Sequence, residues 1–417
     1  MIDARSTRRG LFLVFMIMFL DVIGIAIIMP VLPAYLRELT GDDLSQAAID
    51  GGWLLLVYAG MQFLFAPFIG NLSDRFGRRP VLLACVLTFA IDNLICALAT
   101  SYWMLFIGRI LAGISGASFS TAAAYIADIS NDETRAKNFG LMGIAFGTGF
   151  VIGPVIGGVL GEFGPRIPFY GAAAIAFLNF AAAWILLPET LDVKNRRRFE
   201  LSRANPLGAL LQMRNYKGVL WVGLVFFCYN LSHAVYPSVW PFVAALRYGW
   251  SEGQIGLSLG VFGIGGAIVM GFVLPRVVPR LGEYRTAVIG LCFSVLGLSG
   301  YAAAYQGWMV YAVIMLTALE SLAEPPLRSI ASARVPPSAQ GELQGALTSV
   351  SSITTIIGPL IFTQAFSHFT GPQAPVVFAG APYALAAAIL VVGLLIFITR
   401  LRGAGTGPMA KMAPESS

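Results

Sequence analysis

Long apolar stretches, each closed by a short polar or glycine- and proline-containing break, recur along almost the whole chain. Twelve stretches stand out, at about 10–37, 51–71, 80–99, 102–127, 138–161, 167–188, 218–246, 254–274, 286–305, 308–332, 343–367 and 376–399. Each is long enough to cross a hydrocarbon core of ~30 Å at ~1.5 Å per residue. None shows the period-two alternation of a barrel strand, and an open sheet edge finds no hydrogen-bond partner in lipid, so the pattern predicts helices. The expected fold class is an all-α polytopic membrane protein with twelve transmembrane helices.

Composition supports this and removes other classes. Hydrophobic residues make up 57% of the 417 positions and charged residues only 12%, about half the charge of a soluble domain. Mean hydropathy is +0.77. Most of the 46 glycines and 23 prolines fall within apolar stretches, which excludes a disordered chain. The first stretch follows Arg5, Arg8 and Arg9 as a secretory signal would. Its apolar run is too long for one and lacks a small-x-small site, so it is expected to be a retained helix. Cys85, Cys96, Cys228 and Cys292 all lie in predicted helices without a C-x-x-C pair and read as small core residues.

Charge then orients the helices. With the N-terminus inside, 22 of the 27 Lys and Arg residues fall on the cytoplasmic side; the other side has Arg37, Arg166 and Arg247, and Arg109 and Arg328 lie within spans. This positive-inside bias places both termini in the cytoplasm. The net charge of +6 therefore reports topology and calls for no nucleic-acid partner. A basic segment at 189–217, with Lys194, Arg196, Arg197, Arg198 and Arg203, separates two six-helix bundles, 1–188 and 218–399; the tail, 400–417, is expected to be disordered. With no soluble domain and no G-x-x-x-x-G-K-[ST] loop, neither ATP-driven transport by this chain alone nor a cofactor is expected.

The halves match at an offset of 205 residues: Arg75 with Arg280, Gly77 with Gly282, Gly140 with Gly345, and Gly153–Pro154 with Gly358–Pro359. Such a duplication puts a substrate site near the bilayer midplane, between halves that rock against each other.

The connection of helices 2 and 3 reads GNLSDRFGRRP, residues 70–80. Gly77 suits a tight turn with φ > 0, and Pro80 suits the first turn of the next helix. Asp74 stands where a carboxylate could engage helix N-termini or basic groups of the opposite half. This stretch resembles the signature loop of the major facilitator superfamily. Residues 20–36, 57–83, 108–128, 143–158 and 340–364 resemble its tetracycline/proton antiporter family. The resemblance implies a cytoplasmic gate formed by Gly70, Asp74, Arg75, Gly77, Arg78, Arg79 and Asp128. It also identifies a helix 5 antiporter motif in Gly143, Gly147, Gly153, Pro154, Gly157 and Gly158, where glycines allow close helix approach and the proline bends the helix.

Charges inside the membrane are costly unless paired or functional. Asp21 lies roughly 16 Å into helix 1, near the midplane, and matches the LDxxG aspartate that matters for transport in the family. Asp92 and Arg109 sit at similar depth, roughly 10 Å from the outer end, where a buried ion pair is the economical reading. The resemblance assigns Asp92 to the substrate path and Arg109 to proton coupling. Glu320, Glu324 and Arg328, four apart, share a face of helix 10 that Pro325 and Pro326 interrupt. There Glu324–Arg328 reads either as a proton site or as a lock near the cytoplasmic mouth. The chain departs from the family at Ser294, where the antiporters carry the helix 9 acid; Glu320 or Glu324 is expected to take over its protonation.

Gln62, Asn93, Asn230 and His233 face the cavity or neighbouring helices, the histidine more in the manner of a satisfied core residue. Tyr58, Phe65, Trp240 and Phe242 either pack or line an apolar pocket for a flat amphipathic ligand. The function expected is therefore proton-driven export of an amphipathic drug, tetracycline-like or multidrug, by a monomer in the bilayer of a bacterial inner membrane. A proton-coupled metabolite permease and a non-transporting sensor are the alternatives within this architecture. A remote one is an intramembrane serine protease, because GISG at 113–116 resembles the rhomboid nucleophile motif, with Ser115 as nucleophile and His233 as base.

Overall fold

The computed structural model describes residues 4–197 and 219–401. Most of the basic central segment and the tail expected to be disordered lie outside the described residues. Among the described residues, eleven helical stretches are long and apolar enough to cross a membrane. One of them, Glu252–Ala303, contains Gly282 at φ 76°, ψ 165°, so it is two crossings run together. Twelve crossings result, as the hydropathy pattern predicts.

Helices 1 to 7 are Arg9–Thr40, Leu44–Phe76, Arg78–Ala97, Tyr102–Asp128, Glu133–Gly161, Ile167–Leu186 and Val219–Tyr248. Helices 8 and 9 are 252–281 and 283–303, and helices 10 to 12 are Gly307–Ser332, Pro337–Thr370 and Ala381–Arg400. Gly77, at φ 107°, turns the chain between helices 2 and 3 as Gly282 does between helices 8 and 9, a backbone region that Gly enters without steric cost. Packing repeats as well: helix 1 lies on 5 and helix 7 on 11, while helix 3 lies on 6 and helix 9 on 12.

Among the described residues the first and fourth helices of each half are broken, and helix 8 passes through a π-helical segment, Val269–Val273. Helix 1 breaks at a 3-10 turn, Met29–Val31, and helix 10 at another, Ala318–Leu322. Helix 4 breaks between Gly116 and Ser118, and helix 7 between His233 and Val235. Proline accounts for three of the breaks, since Pro30 and Pro33, Pro237, and Pro325 and Pro326 remove N–H donors there. At the fourth, the amide of Gln62 donates to the freed Gly116 carbonyl at 3.0 Å.

The halves meet along two seams, helix 5 on helix 8 and helix 2 on helix 11. Both seams are tight at the end away from the termini. A Cβ on Gly158 would sit 2.5 Å from the Glu252 carbonyl oxygen, and Ser45 donates to Ser367 at 3.1 Å. At the end that carries the termini, a Cβ on Gly140, Gly143 or Gly147 would meet nothing within 4 Å. The molecule is therefore closed at the far end and open at the terminal end.

Candidate functional site

A cavity of about 1060 Å³ lies between the halves, walled mainly by helices 5, 7, 8 and 10, with Met29 of helix 1 and Tyr301 of helix 9. Gly143, Gly147 and Pro154 of helix 5 line it, whereas Gly153 and Gly157 pack against helix 1 and Gly158 against helix 8. The glycine run thus divides near Pro154 into an open part and a sealed part. The charged residues on the cavity wall are Glu320 and Glu324, with His233 beside them.

The breaks of helices 7 and 10 bring these groups together. The His233 Nε2 atom lies 3.2 Å from Glu320 Oε2, and Tyr236 donates its hydroxyl to the same oxygen at 3.1 Å. The other ring nitrogen, Nδ1, is 2.8 Å from the Tyr229 carbonyl, one turn back. Glu320 is only 4% exposed. Around it Tyr236 meets Tyr301 at 5.5 Å between ring centroids and Tyr301 stacks on Tyr383 at 5.2 Å. Trp240 meets Tyr301 edge-on at 5.4 Å and donates its indole N–H to Ser258 at 3.0 Å. Glu324 is held by both Nε and Nη2 of Arg328, each at 2.9 Å, and Arg328 lies over the Phe226 ring.

In the first half, Asp21 is buried and accepts a hydrogen bond from Ser118 of helix 4 at 2.9 Å. Asp92 has no exposed surface; its Oδ1 is 3.6 Å from Arg109 Nη2 and accepts from the Asn93 amide at 3.0 Å. Asp92 Oδ2, Asn93 Oδ1 and Arg109 Nε make no hydrogen bond among the described residues. Arg109 and Tyr58 border a second, smaller cavity that shares Met29 and Pro237 with the large one.

Of the residues expected on a substrate path, His233 and Trp240 line the large cavity. Asp21, Gln62, Asp92, Asn93 and Asn230 are not among its lining residues. Asn230 accepts from Ser351 of helix 11 at 3.3 Å, and Ser294 donates to the Gly290 carbonyl within its own helix. Phe242 borders the smaller cavity, while Phe65 packs on Phe68.

At the terminal end, Asp74 does not reach across to the other half. It pairs with Arg78 of its own half at 2.6 Å, and Arg78 also binds Asp128 at 3.1 Å. The physical reason is the parting of the halves there, which leaves the near guanidinium as the partner within reach. Arg79 donates to the Trp184 carbonyl at 2.6 Å, and Arg75 lies over the Phe76 ring. Gly70, on helix 2, faces Ser120 of helix 4.

Sequence reasoning missed Glu189, which accepts the backbone N–H groups of Arg78 and Arg79 and so caps helix 3. It also missed Tyr229, Tyr236 and Tyr301. The sequence signal for Glu189 is an acid, followed by Asp192, where helix 6 runs into a basic segment.

Comparison with known proteins agrees with this geometry. The family model of the Major Facilitator Superfamily matches residues 14–359 and 222–411. Over 348 residues the chain is 42% identical to the tetracycline resistance protein, class C, of Escherichia coli, covering 84% of this chain and 87% of the relative. It is 27% identical over 350 residues to multidrug resistance protein 2 of Bacillus subtilis (strain 168), covering 82% and 85%. Among solved structures, a bacterial homologue of the human lysosomal transporter Spinster, in an inward-facing and unoccupied conformation, aligns with a TM-score of 0.75 at 17% identity, covering 97% of this chain and 100% of that one. At that identity the likeness shows the fold.

Proposed function

This chain belongs to the Major Facilitator Superfamily, with the tetracycline resistance proteins among its relatives, and from that premise we propose that it exports an amphipathic drug, tetracycline-like or broader, in exchange for protons. It is a multi-pass membrane protein and a transporter of small molecules by family. The observation that carries the export reading is the cavity: an apolar, aromatic space with carboxylates at one wall, closed at one end and open at the other.

In this reading the terminal end faces the cytoplasm of a bacterial inner membrane, since the sequence pattern assigns 22 of 27 basic residues to that side. Drug then enters from inside, where the cavity is open, and the two six-helix units rock to expose it outside. Asp21, Arg109, Glu320 and Glu324 are the proton-coupling groups, and protonation and substrate favour opposite conformations. The Asp74–Arg78–Asp128 cluster, with Arg75 and Arg79, controls the inner opening. One chain holds both halves of the pathway, which supports a monomer.

The test uses purified protein in proteoliposomes with an imposed pH gradient, following lumenal pH as amphipathic drugs are added, tetracycline with Mg²⁺ among them. Drug-triggered proton movement that disappears in Asp21→Asn is expected. Silence toward every drug, with an intact fold, would sink the export reading in favour of a metabolite permease.

A further inference from the structure

The contact between His233 and Glu320 restricts where protons can be. A backbone carbonyl has no proton to give, so the 2.8 Å contact with the Tyr229 carbonyl places a hydrogen on His233 Nδ1. The second nitrogen then faces a carboxyl oxygen at 3.2 Å. A lone pair opposite a carboxylate is repulsive in an apolar wall, so one proton must lie between them, on Nε2 or on Oε2. The Tyr236 hydroxyl already donates to Oε2 and supplies no second acceptor role there. The two side chains hold a single transferable proton and carry no net charge.

We propose that His233 is a tethered counter-cation for Glu320, and that an organic cation reaching this wall replaces it and releases the shared proton. The proposal rests on the export reading and deepens it, naming the group that exchanges and the class of ligand headgroup. Three further observations support it. Glu320 Oε1 receives no hydrogen bond among the described residues, and Glu320 lines the cavity, so one oxygen is free for a ligand. His233 Nε2 stands 3.2 Å from Glu320 while Nδ1 stands 2.8 Å from the Tyr229 carbonyl, so the imidazole is held from behind by helix 7 more firmly than in front by Glu320. No lysine or arginine is among the lining residues of the cavity, and its tyrosine and tryptophan rings offer faces to a cation.

The neighbours leave the exchange to this pair. Tyr229 and Tyr236 flank it on helix 7, Tyr301 on helix 9 and Tyr383 on helix 12, all phenols that stay neutral near pH 7. On helix 10 Glu324 is occupied by Arg328. Helix 8 brings Ser258 and Phe262 to the same wall, neither of which titrates, and helix 11 reaches helix 7 through Ser351 and Asn230.

The experiment is calorimetric titration of the full chain in detergent with tetraphenylphosphonium, a cation with no proton of its own, in two buffers of different protonation enthalpy near pH 7. Release of about one proton per cation bound is expected. Glu320→Gln should weaken binding at least ~10-fold and release none. His233→Gln should bind without releasing a proton, and no more weakly than the natural chain. Binding to the natural chain with no proton released would overturn the proposal without recourse to any variant. So would a His233→Gln chain that still releases one, or an absence of binding. If drug-driven proton movement persists in proteoliposomes in any of these cases, export stands and only this assignment falls.

Discussion

Helices 1 and 4 meet through Asp21 and Ser118; helices 7 and 10, their counterparts in the second half, meet through His233 and Glu320. Both contacts sit beside helix breaks, and both bury a carboxylate. They differ in what lies in front of them. The first is enclosed by protein, and the second forms part of the wall of a large cavity. The carboxylates stand on different helices of the repeat, Asp21 on the first of its half and Glu320 on the fourth, and only the second lies where a ligand in the cavity can touch it. Contact with the ligand can therefore be assigned to the second half, and the part played by the enclosed carboxylate separated from it by experiment.

The largest expected effect concerns the enclosed half. Arg109→Ala leaves Asp92 with no exposed surface and no cation, at a cost of about 3–5 kcal/mol. A large drop in melting temperature in detergent should follow, with most of it recovered in an Arg109→Met, Asp92→Leu double variant. Equal melting of the single and double variants would show that the two charges do not depend on each other.

Asp21→Asn tests the division of labour directly. It should stop pH-driven transport yet leave tetraphenylphosphonium affinity within about twofold, or ~0.4 kcal/mol. A tenfold loss of affinity would mean that the enclosed carboxylate contacts the ligand after all. Ser118→Ala removes the one donor to Asp21 among the described residues and should lower stability by about 1–3 kcal/mol, measured by denaturation in detergent. Tyr236→Phe, which strips a donor from the cavity-facing carboxylate, should cost less, because solvent in the cavity can replace it.

The smallest effect lies outside the membrane. The Glu162 carboxylate accepts the Gly253 N–H at 2.9 Å, at the first turn of helix 8 in the opposite half. Bonds from Ser251 and Gly253 hold its proton affinity below the ordinary carboxyl value of 4.5. A lowered value means that the contact is fully present above pH 4.5 and is lost as pH falls through the lowered one. Glu162→Gln should therefore melt slightly below the natural chain at neutral pH, and the two curves should converge in acid. A constant gap across the whole range would rule out a contribution from the ionised group.

Much of this fold is written in hydropathy. Helical spans follow from the apolar runs, and the turn at Gly77 from its motif; its repeat at Gly282 follows from the 205-residue offset and the polar break around it, and the backbone angles there agree. The site is less legible. Asp92 and Arg109 could be paired because their depths from the same end are similar. His233 and Glu320 are 87 positions apart and unrelated by any spacing rule, so His233 read as an ordinary core residue. What joins them is the coincidence of two helix breaks, and a proline in a sequence marks where a helix weakens without showing what side chain the weakness will present. Asp74 shows the converse: its chemistry was evident, but its partner depends on how far the halves stand apart.

The far-end seam, finally, is built largely from main chain. Gly158 lies against Glu252 and Gly253, and Gly256 against Gly158. Glycines have no side-chain rotamers to immobilise when such surfaces meet and none to recover when they part. The joint resembles two planed boards more than a zip fastener: it forms by contact of rigid faces and leaves no tangled residues to unpick. Larger side chains there would add adhesion and also hysteresis. A joint that must open on every cycle works best when its two positions differ little in free energy, and a bare backbone face meets that condition.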